Sequence, residues 1–232
     1  MSQNISSVRK LPPLENGDRL TRAEFERRYQ AMAKVKKAEL IEGIVHMPSP
    51  VSFEYHSEFD GNLTWFFKHY AIFTPGLRSG ANSTVRLDLD NEPQPDSVVI
   101  ISPNHGGRVT IDADGYINGS PELVAEVAGS SVSYDLGAKF QVYRRNQVQE
   151  YVVWRVFDEA IDWFVISDGQ FQPLLPDSAG ILKSRVFPGL WLKMRSMIDG
   201  DLPAVLTTLN QGLSSPEHAE FVQKLAAAKK PD

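Results

Sequence analysis

The 232-residue chain sets 24 Lys and Arg against 29 Asp and Glu, a formal net charge of −5, and contains no cysteine. The acidic balance argues against a protein built to coat nucleic acid, and the lack of cysteine excludes a disulfide framework or a thiolate metal site. No run of about 18 apolar residues is present to span a membrane, and Met1-Ser2-Gln3-Asn4-Ile5 has no apolar signal core, so the cytoplasm is the expected compartment.

Residues 1–19, with Pro12-Pro13 and Gly17, read as a flexible leader. Thr21 and Glu24 form a capping box that opens a helix running to about Lys36. Glu39 to Met47 alternates and breaks at Gly43, which predicts two short strands joined by a turn or bulge, stopped by Pro48-Ser49-Pro50. Phe59, Leu63, Phe66 and Phe67 recur at helical steps, so residues 51–70 read as a helix that also carries His56. Residues 73–76 form a turn and residues 84–89 a strand. Ser97 to Ile101 is a continuous apolar run, the mark of a strand covered on both faces. Residues 103–119 are rich in turn residues and read as a surface insertion with a short strand at 109–111.

Glu122 to Val127 is a further core strand, ended by Gly129-Ser130-Ser131. Residues 133–145 read as a helix with Ser133 as N-cap and Leu136, Phe140 and Tyr143 as its apolar stripe. Residues 150–157 and 161–166 form a hairpin across Asp158-Glu159-Ala160. Strand-like runs follow at 170–175 and 186–193, then helices at 203–213 and 216–228. The expected architecture is an α/β (α+β) mixed sheet flanked by helices, one domain over residues 20–195, with C-terminal helices over 196–232.

Two of these core strands are interrupted by a carboxylate: Asp96 after Gln94-Pro95, and Glu126 within Pro121-Glu122-Leu123-Val124-Ala125-Glu126-Val127. Burying an unpaired carboxylate is costly, so each needs a cation, a partner or a function. If the strands lie side by side, the two acids converge on a hard divalent cation such as magnesium or manganese. A metal-bound water would then be a nucleophile, and a lysine beside it would hold that water or offset developing charge. The position two residues past Glu126 is Ala128, so Lys139 on the following helix is the candidate. The structural alternatives are Asp96 as a strand cap, and Glu126 paired with Arg86, Arg144 or Arg145. Glu39 has Lys36, Lys37 and Arg86 as possible partners, while Tyr143 and Trp154 read as core.

The segments Glu39-Leu40-Ile41-Glu42-Gly43, Gln94-Pro95-Asp96 and Pro121 to Val127 occur in an order that resembles the Uma2 family (DUF820). Tyr134-Asp135-Leu136-Gly137-Ala138-Lys139 and Glu150-Tyr151-Val152-Val153-Trp154 continue the likeness, which covers roughly residues 36–195. Uma2 proteins are restriction-endonuclease-like members of the PD-(D/E)XK nuclease superfamily. The resemblance implies a magnesium- or manganese-dependent endonuclease acting on DNA, with Asp96, Glu126 and Glu39 on the metal and Lys139 near the attacking water. It matches His56 to a family histidine, although the Pro50–His56 spacing is long, and the residues alone read it as an ordinary histidine. Gly129-Ser130-Ser131 replaces the family's Ser-Pro-Ser. A homodimer is expected on the same ground, through the end of the 151–166 hairpin or the C-terminal helices. The rival reading, favoured by the acidic balance and the missing strand lysine, is an inactive nuclease-fold module that binds nucleic acid or protein. No P-loop or dinucleotide fingerprint is present.

Overall fold

The structure, a computed structural model, describes residues 11–47 and 50–230. Most of the expected leader, residues 1–10, and residues 48 and 49 of the expected stop lie outside the described residues.

The described part of the leader is packed rather than loose. Leu14 is buried in a cluster with Phe25, Leu40 and Val45, and Gly17 N–H bonds to the Val45 carbonyl. Helix α1 (Arg22–Gln30) starts as read, with Thr21 Oγ1 accepting from Glu24 N–H, but it ends at Ala31 well short of Lys36. Strands β1 (Glu39–Ile41) and β2 (Ile44–His46) form a hairpin. Its turn residues Glu42 and Gly43 both hold positive φ, 53° and 73°, as a two-residue turn with matching twist requires. A π-helical turn (Phe53–Ser57) carries His56 and leads into α2 (Glu58–Ile72), which buries Leu63, Phe66, Phe67 and Tyr70.

Then come β3 (Leu77–Ala81), β4 (Val85–Arg86), β5 (Ser97–Ile101), β6 (Thr110–Ile111), β7 (Ile117–Asn118) and β8 (Leu123–Ala128). The 84–89 strand is shorter than read, and it leaves the main sheet to join β7 and β6 in a small three-stranded sheet. That sheet buries Val85, Val109 and Ile117, so residues 103–119 belong to the fold and are not a surface insertion. The predicted 133–145 helix is a continuous run: α3 (Val132–Tyr134), a π-helical turn (Asp135–Lys139) and α4 (Phe140–Arg145). Ser131, not Ser133, precedes it, and the Ser131 hydroxyl bonds to Asp135 rather than to a backbone N–H.

The chain closes with β9 (Glu150–Arg155), β10 (Ala160–Ser167), β11 (Gln170–Pro173), β12 (Ile181–Lys183), β13 (Trp191–Lys193), α5 (Met194–Ile198), α6 (Leu202–Leu213) and α7 (Pro216–Ala227). Val205, Leu209, Phe221 and Leu225 share one core cluster with Val127 and Trp154, so the C-terminal helices dock on the sheet. Among the described residues no helix is long and apolar enough to cross a membrane.

The main sheet has six strands in the order β11-β10-β9-β8-β5-β3. Only β8 and β9 run parallel, joined by the α3–α4 crossover. Alternation along β8 sends Leu123, Ala125 and Val127 toward α2, and Val124 and Ala128 toward α4 and the small sheet. All six β8 residues are buried, as the apolar run required. In the β5–β8 ladder Ser97 lies opposite Ala125 and Val98 opposite Val124. One more step in that register sets Asp96 across from Glu126, on the α4 side of the sheet.

Candidate active site

Asp96, just before β5, and Glu126, on β8, are each at least 96% buried, with relative exposures of 4% and 3%. Asp96 Oδ2 accepts from Val127 N–H at 2.8 Å, which ties the acid to the strand that carries Glu126. The crossover run supplies the cation. Lys139 Nζ lies 2.9 Å from Glu126 Oε1, 3.0 Å from Glu39 Oε1 and 3.8 Å from Asp135 Oδ1. Tyr143, one turn further on, donates its hydroxyl to the same Glu126 Oε1 at 2.9 Å. Glu39, at the start of β1, also accepts from Gln94 N–H at 2.7 Å and so links the hairpin to the Gln94-Pro95-Asp96 segment. On the outer side, His56 Nε2 is 3.3 Å from Asp96 Oδ2 and Lys37 Nζ is 3.3 Å from Asp96 Oδ1.

The electrostatics follow from this crowding. Burial opposes charge on Asp96, but the His56 hydrogen bond, the Lys37 ammonium and the Val127 N–H outweigh it and hold the carboxyl well below its usual range. Burial pushes Glu126 the other way, up to about 8. Lys139 opposes that shift, while Asp96, Asp135 and Glu39 add to it. Burial likewise raises Asp135 against the pull of Lys139. Burial disfavours the Lys139 ammonium, yet Glu126 and Glu39 outweigh it and hold it charged. The hydrogen bond to Asp96 raises His56 against the cost of burial. Glu39, Asp96, Glu126 and Asp135 thus face Lys139, Lys37 and His56, an excess of acid that falls on Glu126, the most enclosed of them.

All five residues singled out in the sequence, Glu39, His56, Asp96, Glu126 and Lys139, meet in this one cluster. The alternative partners do not. Arg86 is engaged by Glu26 and Asp112, Arg145 by Glu42, and Arg144 by the Gly169 carbonyl. The partner of Glu39 is Lys139, not Lys36, Lys37 or Arg86. Trp154 is core, packed edge-on to Phe59. Tyr143 is buried as read, but its hydroxyl belongs to the site. Sequence reading gave no role to Lys37 on Asp96 or to Asp135 beside Lys139. The spacing of Asp135, Lys139 and Tyr143, four residues apart on one helical run, is the signal that one face carries all three.

Among the described residues no group of three or more His, Asp or Glu side chains is arranged to hold a metal ion. The Lys139 ammonium occupies the point to which Glu39 and Glu126 turn. The donor chemistry nevertheless fits a hard divalent cation: carboxylate oxygens from neighbouring strands, no sulfur, and an excess of buried negative charge that such a cation would relieve.

Compared with known families, residues 22–195 match Uma2, described as "Putative restriction endonuclease". Among solved structures the chain is similar to "a putative nuclease belonging to DUF820 from Anabaena variabilis ATCC 29413". The TM-score is 0.56 and the identity 12%, over 74% of this chain and 97% of that one. At that identity the likeness shows a shared fold, a mixed sheet flanked by helices. No curated protein gives a significant match.

Proposed function

Because the chain belongs to the Uma2 family, we propose that it is a magnesium- or manganese-dependent endonuclease that hydrolyses DNA phosphodiester bonds. The observation that carries this reading is that Asp96, just before β5, bonds to the Val127 N–H next to Glu126 on β8, with the Lys139 ammonium 2.9 Å from Glu126. Asp96 and Glu126 would hold the cation, with Glu39 beside them. When bound, the cation supplies Lewis-acid polarisation of the phosphate and a more acidic water. The chain's own groups do the rest. Lys139, fixed by Glu39 and Glu126, presents positive charge to an attacking water and to the charge that builds on the phosphoryl oxygens. Tyr143 fixes the rotamer of Glu126 through its hydroxyl. Lys37 and His56, on the outer side of Asp96, offer two cations to the incoming phosphate backbone.

The test is cleavage of supercoiled plasmid and of single-stranded DNA with magnesium or manganese, comparing wild type with Asp96→Asn and Glu126→Gln. The reading requires cation-dependent nicking by wild type that both substitutions abolish while the fold is retained. Cleavage that survives both would refute it.

One observation favours a second reading, a nuclease-fold module that binds without cleaving. Lys139 already satisfies Glu39 and Glu126, and no three acidic or histidine side chains among the described residues are arranged around an ion. Such a module would bind DNA with no magnesium requirement and leave the plasmid intact.

A further inference from the structure

Among the described residues, exposed large apolar side chains are scattered over the surface, and one group of them stands at the edge of the acidic cluster. Phe53 is 74% exposed, Tyr55 49%, and Phe157, just past the end of β9, 62%. Val51 adjoins them. The Tyr55 and Phe157 rings lie 5.3 Å apart at an interplanar angle of 44°. Phe53 and Tyr55 stand on the same π-helical turn as His56, which bonds to Asp96. That turn is pressed against the end of β8: a Cβ on Gly129 would lie 3.1 Å from the Tyr55 carbonyl oxygen and 4.0 Å from the Phe157 ring. The aromatic patch therefore begins three residues past Glu126 and runs outward, with the Lys37 and His56 side chains at its inner edge.

Resting on the nuclease reading above, the geometry points to a base-stacking platform, formed by Tyr55 and Phe157, for a single-stranded polynucleotide whose phosphates pass Lys37 and His56. Rings stack on the faces of unpaired bases regardless of sequence, and a neighbouring cationic track holds the backbone, which is the usual division of labour on single strands. In a duplex those base faces are covered by their neighbours. Glu54 and Glu58 on the Tyr55 side, and Asp158 and Glu159 after Phe157, are exposed at the outer rim. They repel phosphates from the aromatic side and leave it to uncharged bases. A second copy of the chain fits less well: in a two-fold pairing the patch would face itself, and these carboxylates would meet their own equivalents.

The test is fluorescence anisotropy of labelled twelve-residue oligothymidylate, oligouridylate and a DNA hairpin duplex, titrated with the full chain in EDTA to prevent turnover. Oligothymidylate should bind at least about tenfold more tightly than the duplex. Tyr55→Ala and Phe157→Ala should each weaken single-strand binding about tenfold, with duplex binding little changed, and Tyr55→Trp should retain it. These side chains are exposed, so urea midpoints should not move, which separates loss of stacking from loss of fold. Oligouridylate binding equal to oligothymidylate supports a platform for either strand, and much weaker binding supports one for DNA. Equal affinity for duplex and single strand, or alanine variants that bind as wild type does, would overturn the platform. So would alanine variants that turn a dimer into a monomer in light scattering without loss of oligonucleotide affinity, since the patch then serves a second copy. Plasmid nicking that depends on Asp96 and persists through such a failure leaves the nuclease reading standing, whereas a wild type that neither binds nor cleaves removes both.

Discussion

Lys139 Nζ lies 2.9 Å from Glu126 Oε1, and both side chains are buried. Lys139 comes thirteen positions after Glu126, so the β8–α4–β9 crossover itself delivers the ammonium back onto the strand it has just left. This pair is the keystone of the charge cluster. Lys139→Met should leave Glu39, Glu126 and Asp135 without their shared cation and cost roughly 3–5 kcal/mol, the usual scale for stripping one partner from a buried ion pair. Urea unfolding measures it. If the acids also take magnesium, added magnesium should restore part of the loss.

Tyr143 tests the same cluster more gently. Tyr143→Phe removes one hydroxyl donor from Glu126 Oε1 and leaves the ring packed 4.9 Å from Tyr151. The expected loss is about 1 kcal/mol. Losing a donor to the ionised form makes Glu126 harder to ionise. The acid limb of the cleavage profile should therefore move to higher pH, a shift that a purely structural role for Tyr143 would not produce.

Glu92 gives a pH test away from the site. It is only 2% exposed, and its Oε2 lies 3.7 Å from Arg86 Nε. Burial, then hydrogen bonding to and repulsion from the neighbouring Glu26 carboxyl, pushes its pKa up to about 8 against the pull of Arg86. The folded state thus keeps a proton that the unfolded chain releases from about pH 4.5 upward. Folded binds more protons than unfolded in that window, so this group's contribution is full below about pH 4.5 and is lost as pH rises toward 8. Glu92→Gln cannot titrate, so it should flatten the decline in stability between pH 5 and 8.5, gaining on the order of 1 kcal/mol or more at the alkaline end. Urea midpoints across that range check it, and an unchanged slope would mean the carboxyl is ionised in the fold.

What could be read from the chain in advance follows physical lines. Asp96 and Glu126 stood out because a charge inside an apolar run is expensive to bury, and the strands that carry them form mainly through that apolar run. Lys37 did not stand out because its partner Asp96 is 59 residues away and nothing local marks the contact. Tyr143 was legible only as core, since helical spacing reports that a ring faces inward but not where its hydroxyl ends. Strand β3, Leu-Arg-Ser-Gly-Ala, has little intrinsic strand preference and exists because β5 offers a free edge to pair with. The 103–119 segment looked like a surface loop for its glycines and asparagines. Its Val109 and Ile117 side chains are what draw it onto the sheet.

The most direct measurement is calorimetric titration of magnesium or manganese into wild type, Asp96→Asn and Glu126→Gln, each first shown to be folded. Wild type should take up the cation at a carboxylate site that neither variant retains. Uptake that persists undiminished in both variants, or none in wild type, would contradict the claim that these two acids share a cation.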